Sequence, residues 1–204
     1  MINIRIATIT DAGLIADMSR QTFYDFFATQ NTKENMDKFM NEQFTKEALM
    51  QEVGAERNIF LLAYDGEQPV GYVRMRENNI PPELGVKEAI EIARIYAIQS
   101  ATGKGVGSTL MQKCIDIATE KKCPVIWLGV WKQNQRAIDF YIRWGFKIFA
   151  EHDFILGNDV QKDWLMKKVI PSSLSPADKS LLTPIFIGAK RETLESDCRD
   201  ISID

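Results

Sequence analysis

EIARIYAIQSATGKGVGSTL, residues 91–110, reads as a short apolar strand that passes through a glycine-rich bend into a helix. Glycine permits close backbone approach to a ligand, and the first turn of a helix carries amide N–H groups without intrahelical partners. Those donors, with the positive end of the helix dipole, form an anion site suited to phosphate. The bend at Gly103, Gly105 and Gly107 contains no GxxxxGK[ST] and lacks the G-x-G-x-x-G spacing of a dinucleotide fingerprint. A second stretch, NQRAIDFYIRWGFKIF at 134–149, places Ala137, Ile138 and Tyr141 at helical spacing, and Gly145-Phe146 turns that helix into a strand.

Outward from these two stretches the chain reads as an ordered series of elements. INIRIA at 2–7 alternates like a half-buried strand. Thr10-Asp11 can cap a helix to about Phe27, with Leu14, Ile15, Met18 and Phe23 inward. Helices are predicted over 33–40 and, after a Thr45 cap, over 45–53. The aromatics Phe23, Tyr24, Phe26 and Phe27 wrap around their helix, either as core or as an apolar wall for an alkyl-amine. NIFLLAY at 58–64 and PVGYVRMR at 69–76 flank Asp65-Gly66 and predict an antiparallel hairpin, followed by a polar loop at 77–88. The helix after the bend, about 103–121, keeps Val106, Leu110, Cys114, Ile117 and Ala118 on one face. VIWLGVW at 125–131 suits an inner strand, and strand–helix–strand in this order makes a right-handed parallel crossover. Strands at 147–156 and 161–169 close the chain around a Gly157-Asn158-Asp159 turn.

The two motifs resemble the Gcn5-related N-acetyltransferase (GNAT) superfamily over roughly residues 2–169. In that family a Q/R-x-x-G-x-G/A turn holds the pyrophosphate of acetyl-CoA, and an N-x-x-A-x-x-x-Y helix lies beside the pantetheine. Here Thr102 stands where the family carries Gln or Arg. QTFYDFF, EIARIY and IWLGVW are similar to the PaiA-type spermidine/spermine acetyltransferases. The resemblance implies an α/β (α+β) fold: one domain over 1–170, with a mixed sheet of about six or seven strands that splays between 91–98 and 124–131. Residues 171–204 read as a C-terminal extension, flexible or loosely docked, whose apolar piece Leu181–Ile187 could pack on the body or on a second copy in a homodimer.

Composition sets the remaining bounds. Hydrophobic residues at 45% and charged residues at 26% are those of a globular protein, and a net charge of −3 does not suggest a nucleic-acid binder. No apolar run approaches the roughly 20 residues of a membrane span, and no signal peptide is visible, so a cytoplasmic protein is expected. Cys114, Cys123 and Cys198 are unpatterned, which predicts neither disulfide nor metal, and the single His152 argues against histidine triads.

The chemistry implied is acetyl transfer from a thioester to an amine. An alkyl amine of pKa ~10.4 is neutral in only roughly one molecule in a few thousand at pH 7, so a base, an oxyanion donor and a proton for the thiolate are needed. Glu91, at the start of the strand before the bend, is the candidate base, directly or through water, and the Gcn5 branch carries its catalytic glutamate there. As a plain strand-start residue it would instead be a solvated carboxylate. The resemblance implies that Ile95, Tyr96 and Ala97 hold the acetyl and pantetheine arm through their backbone. It implies that Thr102, Gly103, Lys104, Gly105, Val106, Gly107 and Ser108 hold the pyrophosphate. Asn134 is expected to cap its helix, to meet the pantetheine, or both. Tyr141 is the candidate general acid, since a phenol of pKa ~10 can protonate a thiolate within hydrogen-bond reach. For the acceptor, a small primary amine such as a polyamine is expected first, with Asp25, Glu34, Asp37, Glu83 and Glu88 as carboxylates that could face it. A protein N-terminus or lysine as acceptor, and a non-catalytic acetyl-CoA sensor, are the alternatives.

Overall fold

A computed structural model describes residues 1–171. A seven-stranded sheet forms the body, in spatial order β1-β2-β3-β4-β5-β7-β6. Its strands are β1 (Ile2–Ile6), β2 (Asn58–Asp65), β3 (Gln68–Glu77), β4 (Ile90–Ala97), β5 (Val125–Trp131), β6 (Lys147–Leu156) and β7 (Asp159–Val169). The helices are α1 (Ala12–Phe27), α2 (Lys33–Lys38), α3 (Lys46–Glu52), α4 (Val106–Glu120) and α5 (Gln135–Arg143). All pairings are antiparallel except β4 with β5. The mixed sheet and single domain that the resemblance implied are what forms among the described residues. The reading of 171–204 as an extension falls outside the described residues, Pro171 apart.

Local sequence explains most boundaries. Thr32, Thr45 and Asn134 each accept a hydrogen bond from a backbone N–H three residues on, Asn35, Ala48 and Ala137 respectively. Asp11, expected to cap α1, instead takes the Arg5 guanidinium at 2.7 Å and the Thr8 N–H at 2.8 Å, and α1 begins after it. The second helix stops at Lys38 rather than at 40, because Phe39–Gln43 winds as one π-helical turn. Arg20 on α1 stabilises that turn by donating to the Met40 carbonyl at 2.7 Å and to the Phe44 carbonyl.

The core lies mainly between the sheet and α4, where Val106, Leu110, Met111, Cys114, Ile117 and Ala118 pack on Leu61, Val73, Met75, Ile90, Ile126 and Leu128. Gly71 on β3 permits this approach: a Cβ there would stand 2.8 Å from the Tyr96 carbonyl oxygen and 2.9 Å from Val106 Cγ1. A second, aromatic core joins α1, the π turn and the β6–β7 hairpin through Phe23, Phe27, Phe39 and Phe44. Among the described residues no helix is long and apolar enough to cross a membrane.

Two irregularities in β4 open the sheet and re-aim its side chains. Strands β4 and β5 pair only at Ile90↔Ile126 and Glu91↔Trp127, then part, so that the sheet opens into a gap. A bulge at Ala93 shifts the β3–β4 register between Arg74↔Arg94 and Met75↔Ile92.

Candidate active site

The gap between β4 and β5 leads into a cleft of about 960 Å³ that crosses the molecule from the glycine bend to α1. In an antiparallel pair alternate residues point their backbone groups at the partner strand. The Ile98 N–H donates to Val70 on β3 at 3.0 Å, and Tyr96 faces Tyr72 in the same phase. The N–H groups of Ile95 and Ala97 therefore point the other way, into the gap, where β5 has withdrawn.

At the end of β4 the chain turns through Gln99–Ala101 and reaches Gly103 and Gly105 with φ of +81° and +86°, the left-handed region that favours glycine. Gly105 is the N-cap of α4, so the amides around 105–108 are those a helix leaves unpaired, and they face the cleft at Gly105, Gly107 and Ser108. Thr102 lines the cleft too, with its hydroxyl donating to the Ile98 carbonyl at 3.3 Å. Val106 turns its side chain into the core and can offer only its backbone. Lys104 is exposed and its side chain does not line the cleft.

Helix α5 forms the facing wall. Asn134, Ala137, Phe140 and Tyr141 line the cleft, and the Asn134 side-chain oxygen is taken by the cap at 3.1 Å, leaving its amide group for a ligand. Tyr141 is 8% exposed; burial pushes its phenol well above the ordinary range, with Cys114 adding to the effect, so it holds its proton at neutral pH. Burial chiefly raises the Tyr96 phenol above its ordinary range, against a lowering effect of Arg94. Arg136 and Arg143 on α5 also line the cleft. Sequence reading passed over both because helix-surface arginines are usually solvated.

Of the residues expected to hold or transform acetyl-CoA, all but Glu91, Lys104 and Val106 line this one cleft. Glu91 does not line the cleft, and this corrects the expectation that its carboxylate reaches it. Its two oxygens accept from Arg76 Nε at 2.6 Å and Arg76 Nη2 at 2.8 Å, and Asn79 Nδ2 adds a third bond at 2.7 Å. Glu91 stands opposite Arg76 in the β3–β4 ladder, and that pairing holds its carboxylate away from the cleft. The bulge at Ala93 brings Arg94 to the same face of the sheet, opposite Arg74, where Glu52 of α3 binds Arg74 and Arg94.

The far end of the cleft is aromatic, with Phe23, Phe26, Phe27, Phe39, Phe44, Trp131 and Phe154 on its walls. Phe23 lies 4.7 Å from Phe39 and Phe27 lies 5.9 Å from Trp131, so these α1 rings belong to the aromatic core and also line the cleft, while Tyr24 is exposed outside it. Polar groups at this end are Thr22, Asp25, Arg94, Gln161 and Asp163. Of the five carboxylates named as possible acceptor ligands, only Asp25 is present; Glu34, Asp37, Glu83 and Glu88 lie elsewhere. Asp163 was missed. Its signal was Gly129, a glycine inside an apolar strand, where a Cβ would meet His152 Nε2 at 3.5 Å and Asp163 Oδ2 at 3.7 Å.

Comparison with known proteins agrees with this geometry. Residues 20–146 match the Acetyltransferase (GNAT) family. An N-acetyltransferase of Lactobacillus delbrueckii subsp. lactis, described as uncharacterized, is 33% identical over 83% of this chain and 99% of its own length. The spermidine N(1)-acetyltransferase of Thermoplasma acidophilum is 24% identical over 72% of this chain and 89% of its own. Among solved structures, the PaiA N-acetyltransferase of Thermoplasma acidophilum in complex with coenzyme A superposes with a TM-score of 0.65 at 24% identity, covering 83% of this chain and 99% of that one. Arabidopsis thaliana NAA60 in complex with a bisubstrate analogue gives 0.66 at 15% identity, over 85% and 100%.

Proposed function

The chain belongs to the GNAT acetyltransferase family and is an acetyl-CoA-dependent N-acetyltransferase; from that premise we propose that it acetylates a primary amine of a small molecule, with polyamines such as spermidine the first acceptors to test. The observation that carries the reading is the continuity of one cleft from the Gly103–Ser108 bend, past the open edge of β4 and Tyr141, to an aromatic chamber.

In this reading the amides at 105–108 take the diphosphate, and Arg136 and Arg143 add cations near the phosphates. The Ile95 and Ala97 N–H groups hold the pantetheine arm and polarise the acetyl carbonyl, an arrangement that stabilises the oxyanion formed when the amine attacks. Tyr141 keeps its proton until the carbon–sulfur bond breaks and then donates it to sulfur. Glu91, held by Arg76 and Asn79, fixes the β3–β4 hairpin below the cleft rather than acting as base.

The polyamine preference is supported by the named activity of the Thermoplasma relative and by the aromatic chamber with Asp25 and Asp163 on its wall, which suits an alkyl chain bearing cations. A thiol-release assay with acetyl-CoA against spermidine, spermine, monoamines and peptides tests it. Turnover with spermidine in preference to peptides is expected. Turnover with peptides alone would move the acceptor to a protein amine, and tight acetyl-CoA binding without turnover on any amine would make the protein a sensor.

A further inference from the structure

Three polar groups on β6 and β7 remain without a task in acetyl transfer by Tyr141 and the β4 amides. Among the described residues Asp163 Oδ1 is buried and has no hydrogen-bond partner, and its Oδ2 stands 3.5 Å from His152 Nε2. Two residues earlier on the same face of β7, Gln161 is 8% exposed and lines the cleft. Its Nε2 donates to Asn31 Oδ1 at 2.6 Å and to Asp159 Oδ2 at 3.0 Å. A carboxylate accepts only, so these bonds orient the amide and leave Gln161 Oε1 buried without a partner. Two acceptor oxygens on one face of β7, both unsatisfied, cost free energy unless a donor comes to them. They lie in the aromatic chamber with Trp131, Phe27 and Phe154, where a cation finds ring faces as well as oxygens.

We propose that Asp163 and Gln161 receive the ammonium of the acceptor, and that Asp163 removes its proton and passes it to His152, which opens to solvent. This rests on the acetyl-transfer reading and supplies the base that Glu91 does not provide. One proton of the ammonium goes to Asp163, and the amine lone pair then forms the bond to the thioester carbonyl carbon. The tetrahedral adduct collapses as the carbon–sulfur bond breaks, Tyr141 protonates sulfur, and the second proton on nitrogen restores Tyr141. Asp163 returns its proton through His152 Nε2, so each turnover releases one proton to solvent. His152 is fitted to that position: its side chain is 49% exposed, and the Asp163 carboxylate 3.5 Å away raises its pKa against partial burial. The other charges that face it, Glu91 from β4 and Asp153 beside it on β6, act in the same direction. Gly129 leaves the space in which the pair meets.

The test uses the full chain without a histidine tag, so that His152, the single histidine, gives one imidazole signal by NMR. Its titration should lie above the ordinary range, fall when spermidine or butylamine is added to the CoA-loaded protein, and return to the ordinary range in Asp163→Asn. Asp163→Asn should also lower kcat/KM for the amine about 10²–10³-fold at pH 7 while acetyl-CoA affinity, measured by calorimetry, stays within about threefold. That loss should shrink as pH approaches the amine's own pKa, because a neutral amine needs no base; a merely structural role gives no such rescue. Unchanged turnover in Asp163→Asn, or a loss equal at every pH, overturns the proposal. If the wild type turns over no amine, the transferase reading fails separately. The His152 titration then decides the ammonium site alone, and a titration that no amine moves overturns it.

Discussion

Replacing Gly105 by Ala and by Asp separates what the bend does for folding from what it does for binding. Gly105 has φ +86°, and a Cβ there would meet no atom within 4 Å, so an added side chain suffers backbone strain and no clash. An L-residue in the left-handed region costs about 1–2 kcal/mol. For a chain of this size that lowers Tm by roughly 2–8 °C at about 2–4 °C per kcal/mol. Asp carries the same strain but tolerates this region better and sits at the positive end of α4, which returns about 0.3–1 kcal/mol. Asp is therefore expected to be the more stable of the two variants. For ligand binding the order reverses. Ala leaves the amides in place, and acetyl-CoA affinity should change by no more than about threefold. Asp places a negative charge beside the diphosphate; at a separation of about 6 Å and an effective dielectric of about 40, each of the two phosphate charges costs roughly 1.4 kcal/mol, so together they cost roughly 3 kcal/mol, about 100-fold in Kd. Thermal melts and titration calorimetry on both variants measure the two orders. Normal acetyl-CoA binding by Gly105→Asp, or equal loss in both variants, would refute the reasoning.

Three further outcomes are expected. Tyr141→Phe should lower kcat by on the order of 10²–10⁴ with acetyl-CoA affinity nearly unchanged, read by thiol release and calorimetry, and an unimpaired rate would remove Tyr141 as the acid. Glu91→Gln should destabilise the protein by about 2 kcal/mol, since Arg76 is 38% exposed and a fully buried pair would cost about 3–5. The rate per folded molecule should hold; a fall of a hundredfold or more in folded protein would restore Glu91 as the base. Gly71→Ala should destabilise by about 1–3 kcal/mol, because its Cβ lies within 3 Å of backbone and of Val106, and a variant as stable as the parent in urea would show that α4 can move back freely.

Much of the fold was legible in the residues because hydrophobic period and turn chemistry agree. The strand–bend–helix at 91–110, the Asp65-Gly66 hairpin and the Asn134 cap each carry their own local signal. What escaped reading depends on partners distant in sequence. The π turn at Phe39–Gln43 is stabilised by Arg20, nineteen or more residues before it, and no local propensity announces it. The insertion of β7 between β5 and β6 is a choice of pairing that a hairpin pattern leaves open. The re-aimed Arg94 had a trace: in IEIARIYA, alternation assigns it to the buried stripe of Ile90 and Ile92, an impossible place for an arginine unless the strand is bulged. His152 looked isolated because its partner comes from the next strand, in register opposite it.

The central claim is that amides at the end of β4 and the start of α4 grip the nucleotide and aim its thioester past Tyr141. Backbone amide NMR of the isotope-labelled chain, titrated with CoA, tests it most directly. Large shifts at Ile95, Ala97 and 105–108, with smaller ones along α5, are the predicted result. Saturable binding that leaves those amides unmoved and perturbs another surface would contradict it.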